Sequence, residues 1–335
     1  MQIKRFRGFF SNAIITHFNE FVKSCIPFAG MVKRIDGMAD KQQEVESMAE
    51  EQSMTARVCA FVRAYHAQQG GEALWDPWAG LLITREEYEG VAQSMSQGIQ
   101  WFCPGFTGNE EQALEWVVTH QLAPAPLSRA AFAEEELADM EDPQCLILGA
   151  GLDTTALRHP LRVVEVDLPG ASADKRARLE RLGGLPERLT LVAADLAQDD
   201  WPMRVRPALE PGKRSFISMM GLSYYLPGEV MARLAAQLAD MAATGSRWVM
   251  DYPEPEESGE TRRKQAMAAA AGETMRSAWS REEMAELLEK AGWRVARDMG
   301  GEEITGRYFA AYNAAHPAMP MKAQAGVRLL AAVRI

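Results

Sequence analysis

Apolar residues recur at helical spacing through residues 38 to about 125, and at Gln144 the pattern changes to short uninterrupted apolar runs. The first stretch predicts a long helix over "KQQEVESMAEEQSMTARVCAFVRAYHA", with a break near Ser53, which with Thr55 offers N-cap chemistry. Further helices are predicted over "REEYEGVAQSM", "EEQALEWVVTHQL" and the Pro-marked "APAPLSRAAFAEEELADM", with "PGFTGN" as a loop and Asp76-Pro77 as a turn. Trp75, Trp78, Trp101 and Phe102 in this region read as helix-packing core or as an aromatic cover over a cationic ligand.

The second stretch predicts strands. "CLILGA" reads as a buried parallel strand, followed by "RVVEVDLP" (162–169), "RLTLVAADL" (188–196), "RSFISMMGLSYYL" (214–226) and "SRWVMDYP" (246–253). "RVARDM" and "VRLLAAVRI" supply a sixth and a seventh. Helices are predicted between them over "DKRARLERLG", "PGEVMARLAAQLADMA" and "SREEMAELLEKAGW". Alternating strands and helices imply an α/β protein: a mostly parallel seven-stranded sheet with helices on both faces and a helical cap before it.

Composition narrows the classes. The 335 residues carry a net charge of -10, which disfavours nucleic acid as a partner. No apolar run approaches the roughly 20 residues of a membrane span, so no integral membrane segment is expected. The four cysteines are scattered, with no CxxC, and there is no HExxH, so neither a metal site nor a disulfide framework is expected. That usage fits a cytoplasmic setting. Residues 1–34 are basic and aromatic, with six Lys or Arg against one Glu. They read either as an extra packed helix or as a lid or membrane-surface contact. The expected division is a 1–37 extension, a 38–125 cap and a 126–335 core, with 253–278 as a charged insertion that reads as a solvated loop or as a cover over the substrate.

The candidate chemistry begins at "LGAG", where the first strand runs into Gly149-Ala150-Gly151. Glycines there let a ligand lie against the backbone. In the dinucleotide pattern GxGxxG the third glycine position holds Thr154, and no GK[ST] follows, so neither phosphate fingerprint is complete. A ligand with adenosine and no phosphate suits this corner, S-adenosylmethionine above all. Asp167 ends the second strand, placed to accept from both ribose hydroxyls. Asp195 ends the third, placed to meet the adenine amino group, with Leu196 beside the ring.

Taken together, "LILGAGLDTTALR", "VVEVDLP", "DKRARLERLG", "AADLAQDDW", "GLSYYLP" and "GSRWVMDY" resemble the leucine carboxyl methyltransferase family, as does the upstream "SMTARVCAFVRAYHA…LWDPWAGLL". The resemblance runs from about Ser53 to the C-terminus and implies a Rossmann-like class I methyltransferase fold, similar to the bacterial O-methyltransferases of natural-product pathways. It implies that Arg129 of "LSRAAF" pairs with the methionine carboxylate of S-adenosylmethionine. By the same likeness Gly149, Ala150 and Gly151 with Asp153 form the cofactor turn, Asp167 and Leu168 take the ribose, and Asp195 and Leu196 take the adenine. A basic residue early in the cap has Arg57 or Arg63 as its counterpart. One position departs: the acid expected after the fourth strand, near the methionine amino group, is Met220.

Three readings follow. The first is O-methylation of a carboxylate or hydroxyl of a small molecule in secondary-metabolite biosynthesis, by a monomer or homodimer. Tyr225, Asp251 and Tyr252 are its candidate catalytic residues, because they follow the fourth strand or end the fifth. Tyr224 is a pocket wall or a further candidate. The second keeps the cofactor but uses its free amine, made available by Met220, to close azetidine-2-carboxylate and release methylthioadenosine. The third is a methyltransferase-like binding module without cofactor.

Overall fold

The structure is a computed structural model that describes residues 39–255 and 277–335, with side chains from residue 54 onward. Residues 52–255 and 276–335 form one compact unit, and the remainder of helix α1 (Ala39–Gln68) belongs to another. The expected 1–37 extension and most of the 253–278 insertion lie outside the described residues.

The described sheet has seven strands: β1 (Gln144–Leu148), β2 (Val163–Asp167), β3 (Leu189–Ala193), β4 (Ser215–Met219), β5 (Arg247–Pro253), β6 (Trp293–Met299) and β7 (Val327–Arg334). Their order is β3-β2-β1-β4-β5-β7-β6. Strands β1 to β5 are parallel, and β7 runs antiparallel to both β5 and β6. The order reverses between β1 and β4, so their carboxyl ends open the crevice where such sheets take ligands.

Alternation along the strands makes two cores. Cys145, Ile147 and Val163 face the first, with Phe61, Leu127 and Phe132. Leu146, Leu148, Val164 and Val166 face the second, with Leu234, Leu238 and the edge-to-face pair Trp248–Trp293, whose centroids lie 5.5 Å apart. Both faces are covered, which is why the central parallel strands β1, β2 and β4 are buried and mostly apolar.

The helices that precede β1 within the compact unit are α2 (Ala79–Leu82), α3 (Arg85–Gln97), α4 (Ile99–Phe102), α5 (Glu110–Val117) and α6 (Pro124–Ala138). Thr84 with Glu87 and Asn109 with Gln112 form capping boxes that set the starts of α3 and α5. The core contributes α7 (Thr155–Arg158), α8 (Pro169–Arg181), α9 (Trp201–Val205), α10 (Gly228–Met241), α11 (Arg281–Lys290), α12 (Gly301–Tyr308) and α13 (Ala310–Ala315).

Four details differ from the sequence reading. Helix α1 passes Ser53 without a break, since nothing between Ala39 and Gln68 is Gly or Pro. Strand β4 stops at Met219: Gly221 has a φ of +74° and a 3₁₀ turn follows over Ser223–Tyr225. A π-helical turn over Val118–Leu122 closes the α5 segment. Helices α12 and α13 occupy a stretch for which no element was predicted.

Candidate active site

Strand β1 hands over to Gly149 (φ +64°) and Gly151 (φ +47°), left-handed conformations that favour glycine. A Cβ on Gly149 would meet Leu222 Cδ2 at 3.2 Å, and one on Gly151 would meet the Cβ of Ala56, on α1, at 3.1 Å. The turn is held from β2. Gly149 N–H donates to the Val166 carbonyl at 2.8 Å, and Gly151 N–H donates to Asp167 Oδ2 at 2.7 Å. Asp167 Oδ1 accepts from Leu168 N–H at 2.8 Å. Burial raises the Asp167 carboxyl above its usual range, against the pull of those two N–H groups.

The turn ends at Asp153, whose Oδ1 accepts from Thr155 N–H at 2.7 Å, an Asx turn just ahead of α7, whose N-cap is Thr154. Burial would raise this carboxyl, but Lys175, Arg158 and Arg63 outweigh it and hold it below the usual range. Beyond β3, Asp195 accepts from Ala197 N–H at 2.9 Å and from the Gln198 amide at 3.2 Å, with buried Leu196 next to it.

At the other side of the crevice, Arg129 of α6 donates from Nε to Asp251 Oδ2 at 2.6 Å and from Nη2 to the Tyr224 hydroxyl at 3.2 Å. Asp251 is fully buried at the end of β5. Its Oδ2 also accepts from Tyr224 O–H at 2.7 Å, its Oδ1 from Gly221 N–H at 2.6 Å, and its carbonyl from Ser223 Oγ at 2.6 Å. A Cβ on Gly221 would meet Arg129 Nη1 at 3.1 Å. Burial and the neighbouring Asp251 push the Tyr224 phenol well above its usual range. Met220, half-buried, packs on the first core. The carboxylate of Asp251 therefore stands against the residue that follows Met220.

The other expected residues fall as follows. Tyr252 is buried and donates to Asp298 Oδ2 at 2.8 Å, with its phenol raised by burial and by Asp298. Tyr225 is half-buried in the 3₁₀ turn. Arg63 donates to the Leu152 carbonyl at 2.8 Å and faces Asp76 at 3.4 Å, whereas Arg57 is partly exposed, 3.8 Å from Glu87. Trp75 is 60% exposed and meets Trp78 edge-on, so it is not core.

Two features were not foreseen. Asp76, read only as a turn signal, is fully buried and accepts from Thr154 Oγ1 at 2.7 Å, tying the cap to the glycine turn. Lys175 donates to the Asp153 carbonyl at 2.7 Å from beneath the same turn. No described group of His, Cys, Asp and Glu is arranged to hold a metal ion. No described helix is long and apolar enough to cross a membrane.

The family model for leucine carboxyl methyltransferase matches residues 56–239, a span containing the glycine turn, Arg129, Asp167, Asp195 and Gly221. The chain belongs to the leucine carboxyl methyltransferase family. A relative in Bacillus subtilis (strain 168), YktD, assigned as an S-adenosyl-L-methionine-dependent methyltransferase, is 32% identical over 282 residues, covering 77% of this chain and 92% of its own. A similarly assigned protein of Mycobacterium sp. (strain JLS) is 30% identical over 227 residues, covering 64% and 71%. Among solved structures, magnesium protoporphyrin IX methyltransferase from Synechocystis PCC 6803 aligns with a TM-score of 0.44 at 14% identity, covering 82% of this chain and 98% of that one.

The family's cofactor fits the residues present. Three glycines follow β1 and β4 where a Cβ would crowd Leu222, Ala56 or Arg129, and the carboxylates of Asp167 and Asp251 accept from two of their N–H groups.

Proposed function

We propose that this S-adenosylmethionine-dependent methyltransferase of the leucine carboxyl methyltransferase family methylates an oxygen of a small molecule, a carboxylate before a hydroxyl, in secondary-metabolite biosynthesis. When bound, the cofactor supplies an electrophilic sulfonium methyl group. Gly149, Ala150 and Gly151 would admit it to the backbone, and Arg129 would pair with its methionine carboxylate. Asp167, Leu168, Asp195 and Leu196 would hold the adenosine.

One observation carries the choice of acceptor: the ionisable groups beside the crevice are already committed. Asp251 is bound by Arg129, Tyr224 and Gly221. The Tyr224 and Tyr252 phenols are both raised and both donate to carboxylates. None is poised to take a proton. A hydroxyl acceptor benefits from a base, whereas a carboxylate arrives ionised and needs only alignment and exclusion of water. In this reading Asp251, Tyr224 and Tyr225 orient the cofactor and the acceptor, Asp153 ends the turn, and Tyr252 supports β5.

The position of Asp251 also bears on Met220. Ring closure within the cofactor was attractive because the acid near the amino group is missing, yet a buried carboxylate lies against Gly221, the next residue. That supports methylation. The test is incubation with labelled cofactor and a panel of carboxylic acids, phenols and alcohols. Base-labile methyl esters and S-adenosylhomocysteine are the expected products. Methylthioadenosine formed from the cofactor alone would overturn the assignment.

A further inference from the structure

Glu165 is an acid in the middle of an apolar strand. It is 2% exposed, and its register partners are Ile147 on β1 and Leu191 on β3. It shares a face of β2 with Val163 and Asp167. The ammonium of Lys175, on α8, lies 2.5 Å from Oε2 as an ion pair, while neither Glu165 oxygen has a hydrogen bond of good geometry among the described residues. Lys175 is itself 3% exposed, and it also donates to the Asp153 carbonyl at 2.7 Å. So one buried ammonium joins the strand behind the crevice to the end of the glycine turn. An incompletely satisfied buried carboxylate is costly, and its persistence asks for a role.

We propose that Lys175, anchored by Glu165, is the positioning residue for the cofactor turn, and that this pair makes cofactor affinity depend on pH in the neutral range. The inference rests on the cofactor reading above and adds the regulation of that site. With Glu165 ionised, Lys175 is tethered at both ends and fixes the Asp153 carbonyl, which ends the turn that also offers Gly151 N–H to Asp167. A proton on Glu165 removes one tether. The turn then has to be ordered at the expense of binding.

Every charged group facing this pair bears on the balance. From α8 there is Lys175, from the turn Asp153, and from the tip of β2 Asp167. Behind Asp153 stand Arg158 with its partner Glu134, and Arg63. Cys145 on β1 is a neutral thiol, raised by burial to about 12. Burial, opposed by Lys175, pushes the Glu165 carboxyl up to about 7.

Calorimetric titration of S-adenosylhomocysteine into wild type, Glu165→Gln and Lys175→Met at pH 6 and pH 8 tests this, with the melting temperature of each recorded. The wild-type affinity is expected to fall about three- to tenfold from pH 8 to pH 6, the range open to one linked proton. Glu165→Gln should bind equally at both pH values, at the weaker wild-type level. Lys175→Met should bind at least about tenfold more weakly at pH 8. Should Lys175→Met not fold, the slope of the isosteric Glu165→Gln decides alone. A wild-type affinity equal at both pH values, or a Glu165→Gln variant that keeps the wild-type slope, overturns the proposal. Absence of heat with wild type at either pH would instead overturn the cofactor reading, and this proposal with it.

Discussion

Arg129 Nε and Asp251 Oδ2 lie 2.6 Å apart across 122 residues of sequence, joining α6, the helix before β1, to strand β5. The carboxylate is fully buried, and the guanidinium side chain is 19% exposed. Removing one partner of such a pair leaves an uncompensated charge, typically about 3–5 kcal/mol. Asp251→Ala is therefore expected to lower stability by that order, and the Arg129→Met, Asp251→Leu double variant by less than Asp251→Ala alone. Urea unfolding of the two variants beside wild type checks this. A double variant destabilised as much as or more than Asp251→Ala would contradict the expectation.

Tyr224 donates its proton to Asp251 and is raised far above ordinary phenol range, so it acts as a donor and not as a base. Tyr224→Phe should weaken binding of S-adenosylhomocysteine by loss of one bond to a charged group, about 1.5–3 kcal/mol at most. The pH profile of turnover between 7 and 10 should be unchanged. Disappearance of a basic-limb pKa in the variant would show that Tyr224 titrates during the reaction.

Gly221 combines a φ of +74° with an Arg129 nitrogen 3.1 Å from where its Cβ would be. Left-handed backbone costs an alanine about 1–2 kcal/mol before any crowding. Gly221→Ala should lower both stability and cofactor affinity. Gly228→Ala, at a helix start with open space around it, should leave cofactor affinity unchanged.

Stability should respond to pH in two opposite ways. In Glu135, hydrogen bonds from Arg307, assisted by Arg297 and the Tyr308 hydroxyl, hold the carboxyl down at about 2. Glu87 is raised by burial but brought down to about 2 by Arg178 and by Thr84 N–H. Both pKa values are depressed by folding. Their contribution is present above the unfolded value near 4.3 and is lost as pH falls from there toward 2. Glu165 is raised to about 7, so its contribution is present below about 4.3 and lost as pH rises through 7. Melting temperatures should fall on both sides of an acidic optimum. Glu165→Gln should flatten only the slope between pH 4.5 and 7; an unaltered slope there would assign it to other groups.

Much of this fold was legible because buried parallel strands such as "VVEVD" are mostly apolar and run into Gly or Asp. Direction was not: "VRLLAAVRI" looks the same parallel or antiparallel, and only its pairing with Trp248 and Val295 reveals the reversal. "MGLSYYL" read as strand because its side chains are apolar, while one glycine with positive φ decides otherwise. At the site, Gly149, Gly151 and Asp167 were visible because strand-end chemistry has a short local signature. The partnership of Arg129 with Asp251, and of Asp76 with Thr154, depends on packing between distant segments and leaves no local trace. Glu165 did leave one, a charge inside an apolar run, and its register with two apolar neighbours gives that charge its meaning.

The central claim is that Asp167 and the Gly149–Gly151 corner together receive the adenosyl part of the cofactor. Titration of S-adenosylhomocysteine into wild type and Asp167→Ala, followed by calorimetry at pH 8, measures it most directly. The account predicts saturable one-to-one binding by the wild type and an affinity at least about tenfold lower in the variant, the loss of charge-assisted hydrogen bonds. Equal affinity in a folded Asp167→Ala protein, or no binding by the wild type, would contradict it.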